Sequence, residues 1–270
     1  SYYDPHEPLL WPRGGGPTTS RSSGRRRACG GTSGGVGAAA GGRRPDGELN
    51  MVGVTTFTEA GGHPVNEDAF LVRQHPDDPD CWLSFLADGQ GGRKGGGEAA
   101  RLACRAALDV ASGVRPERLV DGRAWPFLLR LADFAVAADV VAGFTTLIGF
   151  CVRNGVLAGA SSGDSGVLAV VEGQGREVTA GQRKTPPVGS GEAVFIPFTH
   201  TLVEPWKVLV VSDGVWKYAG WEKVVRAATT LSREALVDAL KDAARLPGSG
   251  RFPDDFTVVV FEAGRPEERE

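Results

Sequence analysis

The chain has 270 residues, with 30 Lys and Arg against 33 Asp and Glu and a formal net charge of −3, which excludes a strongly basic nucleic-acid-coating protein and leaves room for one large domain or two small ones. No apolar run approaches the roughly 20 residues that span a bilayer, and the N-terminal stretch has no apolar secretion-signal core, so a soluble cytoplasmic protein without membrane partners is expected. Composition divides the chain unevenly. Residues 1–47 hold 12 glycines, 7 arginines and 3 acids (Asp4, Glu7, Asp46), with no apolar run to nucleate a core, and are expected to be a disordered Gly/Arg-rich arm. The remainder, with 23 basic and 30 acidic residues, is acidic, so no nucleic-acid partner is expected. A folded domain over 48–264 and a charged tail at 265–270 complete the division.

The first strand is expected at Met51–Phe57, ending in the Ala60-Gly61-Gly62 turn. Strands follow at Ala69–Val72 and Cys81–Ala87. Ala99, Leu102, Ala103, Ala106, Ala107 and Val110 recur with helical period between Glu98 and Ala111, and a second helix is expected from Trp125 to Val140. Phe144–Val152 and Val156–Ser161 flank Asn154-Gly155, a hairpin signal. Val167–Glu172 runs into a Gly173-Gln174-Gly175 turn. After a Gly/Pro-rich loop come strands at Ala193–Ile196 and Val208–Val211, a helical region over Trp221–Ala244, and a last strand at Phe256–Phe261.

Hairpins without βαβ repeats argue for antiparallel sheets. Val208–Val211 and Thr257–Phe261 are apolar on both faces and need cover on both sides. The expected fold class is α+β: two antiparallel sheets packed as a sandwich, flanked by helix pairs in α-β-β-α layers. Cys29, Cys81, Cys104 and Cys151 lack Cys-x-x-Cys spacing and are expected to be reduced thiols.

Acids mark the strand ends. Asp88 closes the third strand, Asp213 follows Val208–Ser212, and Asp254-Asp255 precedes the last strand; an antiparallel last strand brings all three to one edge. Asn66-Glu67-Asp68 adds another pair. Gly89 and Gly214 permit sharp turns and leave a carbonyl free as a ligand. Crowded carboxylates repel unless neutralised, and hard oxygen donors suit Mg²⁺ or Mn²⁺. Two such ions can turn water into a nucleophile against a phosphoester.

In order along the chain stand Asn66-Glu67-Asp68, Ala87-Asp88-Gly89-Gln90-Gly91-Gly92, Gly143-Phe144-Thr145-Thr146, Gly163-Asp164-Ser165, Val211-Ser212-Asp213-Gly214-Val215-Trp216 and Asp254-Asp255-Phe256-Thr257-Val258. Together they resemble the metal-dependent protein phosphatases (protein phosphatase type 2C), bacterial type, over about Leu49 to Glu262. The resemblance implies hydrolysis of phosphoserine and phosphothreonine in phosphoprotein substrates, on a Ser/Thr kinase pathway, by a monomer with two Mn²⁺ or Mg²⁺ and a weaker third ion. It implies Asp88 bridging both ions, Asp213 and Asp254 completing one site, and the Gly89 carbonyl with Glu67 serving the other. Asp68 would orient the attacking water, and Asp164 would contribute to the third ion.

Four positions depart from the family pattern. His63 stands where many members have a phosphate-binding arginine, and offers one donor in place of a charged fork, unless Arg73 or Lys94 substitutes. Gln90 replaces a proton-donating histidine of eukaryotic members. Lys217 stands where an acid often lies near the third metal and is expected to disfavour it, and Gly166 replaces an arginine. Two other readings are open to these residues. A nucleotide-binding loop at Asp88–Gly97 lacks the glycine and Lys-Ser/Thr spacing such loops need, leaving Gly95, Gly96 and Gly97 as a flexible entry to the helix. A catalytically weak or inactive phosphatase-like binding or regulatory protein is the alternative function. The Gly181–Glu204 loop is a candidate contact surface.

Overall fold

The computed structural model describes residues 52–90 and 95–264. Expectations for the arm at 1–47, Cys29, the start of the first strand, Gly91, Gly92, Lys94 and the tail at 265–270 fall outside them.

In chain order the elements are β1 (Gly53–Glu59), β2 (Asp68–His75), β3 (Asp78–Asp88), α1 (Gly96–Ser112), α2 (Pro116–Leu119), α3 (Trp125–Ala137), β4 (Leu147–Arg153), β5 (Val156–Ser162), β6 (Gly166–Val171), β7 (Gln174–Glu177), β8 (Ile196–Thr201), β9 (Trp206–Val211), α4 (Asp213–Ala219), α5 (Trp221–Thr230), α6 (Arg233–Ala244) and β10 (Phe256–Ala263). One sheet runs β1-β10-β9-β6-β7 and the other β2-β3-β4-β5-β8. Every pairing is antiparallel.

The strands that read as apolar on both faces are central, as that pattern requires. β9 and β10 pair through Val211↔Val258 to Trp206↔Ala263, and their alternate residues enter two different cores. Val208, Val210, Val259 and Phe261 face the other sheet, meeting Leu86, Ile148, Phe150 and Val152. Phe150 and Phe261 cross edge to face at 5.7 Å in this layer. Leu209, Val211, Val258 and Val260 face the opposite way, under α4, α5 and α6. A third core joins β3, β4 and β5 to α1 and α3. The expected α-β-β-α layering is thereby observed. Each fully buried Leu or Phe contributes about 1.5–3 kcal/mol, and Phe261→Ala would cost about 3–5 kcal/mol at the sheet interface.

Several local expectations are corrected. The glycines at the start of α1 have steric reasons: Gly95 caps it at φ 89°, and a Cβ on Gly96 would lie 2.9 Å from the Gln90 carbonyl oxygen, so they let two backbones touch. Residues 193–195 are not strand, because the Ala193 N–H bonds to the Asp133 carboxylate; pairing begins at Ile196. Gln174–Glu177 forms edge strand β7, which its polar sequence concealed, and the hairpin turn falls one residue earlier, at Glu172 (φ 52°) and Gly173 (φ 74°). The helical region expected at 221–244 is two helices, and α4 precedes it. The Gly181–Glu204 segment, expected as a contact surface, is exposed at its start and end, while Val188, Ala193 and Phe195 anchor it in the core. Cys81, Cys104 and Cys151 are buried free thiols. Among the described residues no helix is long and apolar enough to cross a membrane.

Candidate active site

The acidic strand ends of both sheets meet in one cleft of about 340 Å³, lined by His63, Glu67, Asp88, Gly89, Gln90, Thr145, Thr146, Asp164, Lys184, Asp213, Lys217 and Asp254, among others. Topology produces this convergence. β10 runs antiparallel to β9, so the start of one lies beside the end of the other, and Asp254 comes next to Asp213. In the second sheet Asp68 opens β2 directly opposite Asp88, which closes β3.

Backbone bonds fix Asp88 in place. Its N–H donates to the Thr146 hydroxyl (2.9 Å), and its carbonyl accepts from the Thr145 hydroxyl (2.8 Å) and the Thr146 N–H (2.9 Å). The Asp88 carboxyl is pushed up to about 10, first by burial and then by the charges of Asp68, Asp213, Asp164 and Asp254. Asp68 is pushed up to about 7, again by burial first, with Asp255 and Asp213 adding to it and the Thr257 and Ser212 hydroxyls opposing. Both Asp68 carboxylate oxygens are buried, and neither of those hydroxyls reaches them in hydrogen-bond geometry. Thr257 bonds instead to Thr58 (2.8 Å), and Ser212 donates to the Asp255 carbonyl.

Asp255 has a structural role. Its carboxylate accepts the N–H groups of Gly61 (2.9 Å) and Glu67 (2.6 Å), tying the loop that carries His63 and Glu67 to the start of β10. Asp254, its neighbour, is left facing the cleft, with one oxygen accepting the Asp255 N–H (3.0 Å). Gly214 does not make a sharp turn: Asp213 begins α4, and a Cβ on Gly214 would lie 2.0 Å from the Asp255 carbonyl oxygen. Gly89 is equally crowded, its missing Cβ falling 2.7 Å from the Glu67 carbonyl oxygen. These glycines allow the acid-bearing segments to approach one another.

The opposite wall carries cations. The Lys217 ammonium donates to Asp213, one helical turn before it, and lies 3.8 Å from Asp164. Lys184 pairs with Asp164. Burial raises the Asp213 pKa, and the Lys217 bond opposes that rise. Burial also works against the charge on Lys217, but its bond to Asp213 and the charges of Asp213, Asp164 and Asp254 outweigh it and raise its pKa. Trp216 donates its indole N–H to the Asp164 carbonyl (2.9 Å) and stacks on Trp221 at 6.0 Å, which steadies the Asp164 loop.

The donor set fits hard divalent cations: Asp88, Asp213, Asp254, Glu67 and the Gly89 carbonyl are all oxygen donors lining the cleft, whereas Asp68 does not line it and sits buried behind, opposite Asp88, with its oxygens unpartnered. Among the described residues no three His, Cys, Asp or Glu side chains close on a common point tightly enough to hold an ion as they stand.

Solved structures share this architecture. The catalytic domain of the serine/threonine protein phosphatase PstP, in complex with two manganese ions, superposes with a TM-score of 0.65 at 21% identity, over 79% of this chain and 99% of that one. A bacterial serine phosphatase gives 0.63 at 19% identity over 81% and 100%, and RsbX in complex with magnesium gives 0.62 at 14% over 80% and 98%. The chain has the protein phosphatase type 2C fold. No protein-family model and no curated protein matches the sequence.

Against that fold, the departures acquire physical reasons. Gly166 leaves no room for an arginine, because a Cβ there would meet the Trp221 ring at 2.6 Å. Gln90 lines the cleft, its N–H bound to the Phe144 carbonyl (2.9 Å). His63 is exposed at the cleft. Arg73 is not a substitute for the missing arginine: it lies on β2 five residues beyond Asp68, about 17 Å at the rise of a strand, and does not line the cleft. Among the described residues, the lysines that line the cleft are Lys217, on α4, and Lys184. The sequence neighbourhood of Lys184, between Gly181 and Pro186, gave no periodicity or motif from which to find it.

Proposed function

We propose that residues 48–264 form a metal-dependent protein phosphatase domain that hydrolyses phosphoserine and phosphothreonine in proteins. The observation that carries this is the meeting of acids from both sheets in one cleft, with the Asp68 carboxylate buried behind it, opposite Asp88, and lacking a hydrogen-bond partner. An uncompensated buried carboxylate costs several kcal/mol unless a cation answers it.

Asp88, Asp213, Asp254, Glu67 and the Gly89 carbonyl would hold two Mn²⁺ or Mg²⁺ ions, with Asp164 the donor for any third. The ions supply a water nucleophile at neutral pH and charge stabilisation on the phosphoryl oxygens. Asp68, opposite Asp88 in register, would hold Asp88 in place and, with the ions bound, help orient the attacking water. His63 and Lys184 offer donors to the phosphate. Water oxygen bonds to phosphorus as the bond to the serine or threonine oxygen breaks, and the leaving oxygen takes a proton from water, since Gln90 cannot supply one. The substrates would be phosphoproteins of a kinase pathway, and the chain a cytoplasmic monomer.

The test is phosphate release from a phosphothreonine peptide with Mn²⁺ or Mg²⁺, with Asp213→Ala as control. Metal-dependent release lost in the variant is the expected result. A wild-type chain inactive with either ion refutes it. One observation favours the alternative of a weak or inactive regulatory relative: Lys217 and Lys184 already neutralise Asp213 and Asp164. A related fold, PppA, is described as a key regulatory component of T6SS in Pseudomonas aeruginosa, with a TM-score of 0.59 at 19% identity. Phosphopeptide binding without turnover would decide for that alternative.

A further inference from the structure

Charge is distributed unequally around the cleft. Asp68 has no partner, whereas Asp213 carries the Lys217 ammonium and Asp164 carries that of Lys184, with Lys217 3.8 Å away. Fixed backbone delivers both cations. Lys217 lies four residues after Asp213 on α4, the spacing that stacks side chains along one helix face. Lys184 follows Arg183, whose carbonyl accepts the Gly163 N–H (2.8 Å), so the segments bearing Lys184 and Asp164 are tied side by side.

A divalent ion approaching Asp213 meets an ammonium already seated on the carboxylate. At roughly 4 Å, in the effective dielectric of a protein surface, unit charges interact by far more than thermal energy. The ion must therefore displace the lysine or bind against it. Asp164 is in the same position twice over.

We propose that Lys217 is a resident counter-cation that competes with a divalent ion for Asp213 and, with Lys184, takes the place of an ion at Asp164. It keeps this wall of the cleft neutral when no metal is bound and weakens metal binding there. This rests on the metal-dependent reading of the site.

The experiment is calorimetric titration of MnCl₂ into the full chain, wild type against Lys217→Met, Lys217→Arg and Lys184→Met, with melting of the same samples in EDTA. Lys217 is 38% exposed, so the variants are expected to fold. Lys217→Met should bind Mn²⁺ about tenfold more tightly than wild type yet melt lower in EDTA, since Asp213 loses its partner. A purely structural lysine would not move the two readouts in opposite directions. Lys217→Arg, which keeps the charge, should stay within about threefold of wild type, and Lys184→Met should strengthen binding by less than Lys217→Met. Mn²⁺ affinities for wild type and Lys217→Met that differ by less than about threefold would overturn the inference alone. So would a Lys217→Met that melts higher than wild type in EDTA. If no variant binds Mn²⁺, the metal-dependent function fails and the inference falls with it.

Discussion

Two buried carboxylates in the same half of the molecule, Asp133 on α3 and Asp68 on β2, are solved in opposite ways. Asp133 accepts three backbone N–H groups, from Gly189 (2.6 Å), Gly191 (3.2 Å) and Ala193 (3.0 Å), and pins the segment leading into β8 against its helix. Asp68 accepts none and sits among other acids. The first is what a carboxylate looks like when the polypeptide uses it for its own stability. The second is tolerated at a cost to the fold, and such a cost points to a ligand outside the chain.

The comparison makes its largest prediction at Asp133. Asp133→Ala leaves three N–H groups without an acceptor and should destabilise the domain by about 3–5 kcal/mol, or roughly 10 °C in melting temperature. The loss should be the same with EDTA or Mn²⁺. A melting curve unchanged by the substitution would break the contrast outright.

Asp68→Asn should go the other way in the metal-free chain. At pH 8 it removes a buried charge and should raise the melting temperature by about 2–4 °C, equivalent to about 1 kcal/mol. At pH 5, where the native carboxyl already holds its proton, the gain should vanish. The same variant should lose most of its Mn²⁺-dependent phosphatase activity.

The wild-type pH profile in EDTA is a third test. The folded-state pKa of Asp68 (about 7) and of Asp88 (about 10) lie above the unfolded value of 3.8. The native state therefore binds more protons than the unfolded state between those limits, and stability must fall as pH rises through that window. Melting temperature should drop between pH 5 and pH 8, and Mn²⁺ should offset the drop. A metal-free chain that gains stability over that range would contradict the account of both acids.

Much of this was legible in the sequence because it is written in local periodicity. Two-sided apolar runs at Val208–Val211 and Thr257–Phe261 can only be central strands, and the hairpin at Asn154-Gly155 forms where its dipeptide predicts, with φ of 48° and 71°. The acids at the ends of those strands follow from the same logic. What escaped was non-local. Lys184 reaches Asp164 only because the Arg183 carbonyl is tied to Gly163, Asp133 reaches residues more than fifty positions away, and β7 is a polar edge strand recognisable only by its pairing with β6. From sequence alone, the glycines next to Asp88 and Asp213 look like turn formers. Their reason for being glycine is an oncoming backbone from elsewhere in the chain, which no window of neighbouring residues can reveal.

The Asp255 side chain has a consequence for when the cleft comes into existence. One carboxylate joins Gly61 and Glu67 to a residue nearly two hundred positions downstream, adding to the inter-sheet core a direct tie between the segments that carry the acids of the two sheets. An unfolded or half-folded chain therefore presents only scattered acids with little hold on a divalent ion. Such an ion would stabilise the finished molecule almost exclusively, and metal supply would set how long each copy survives.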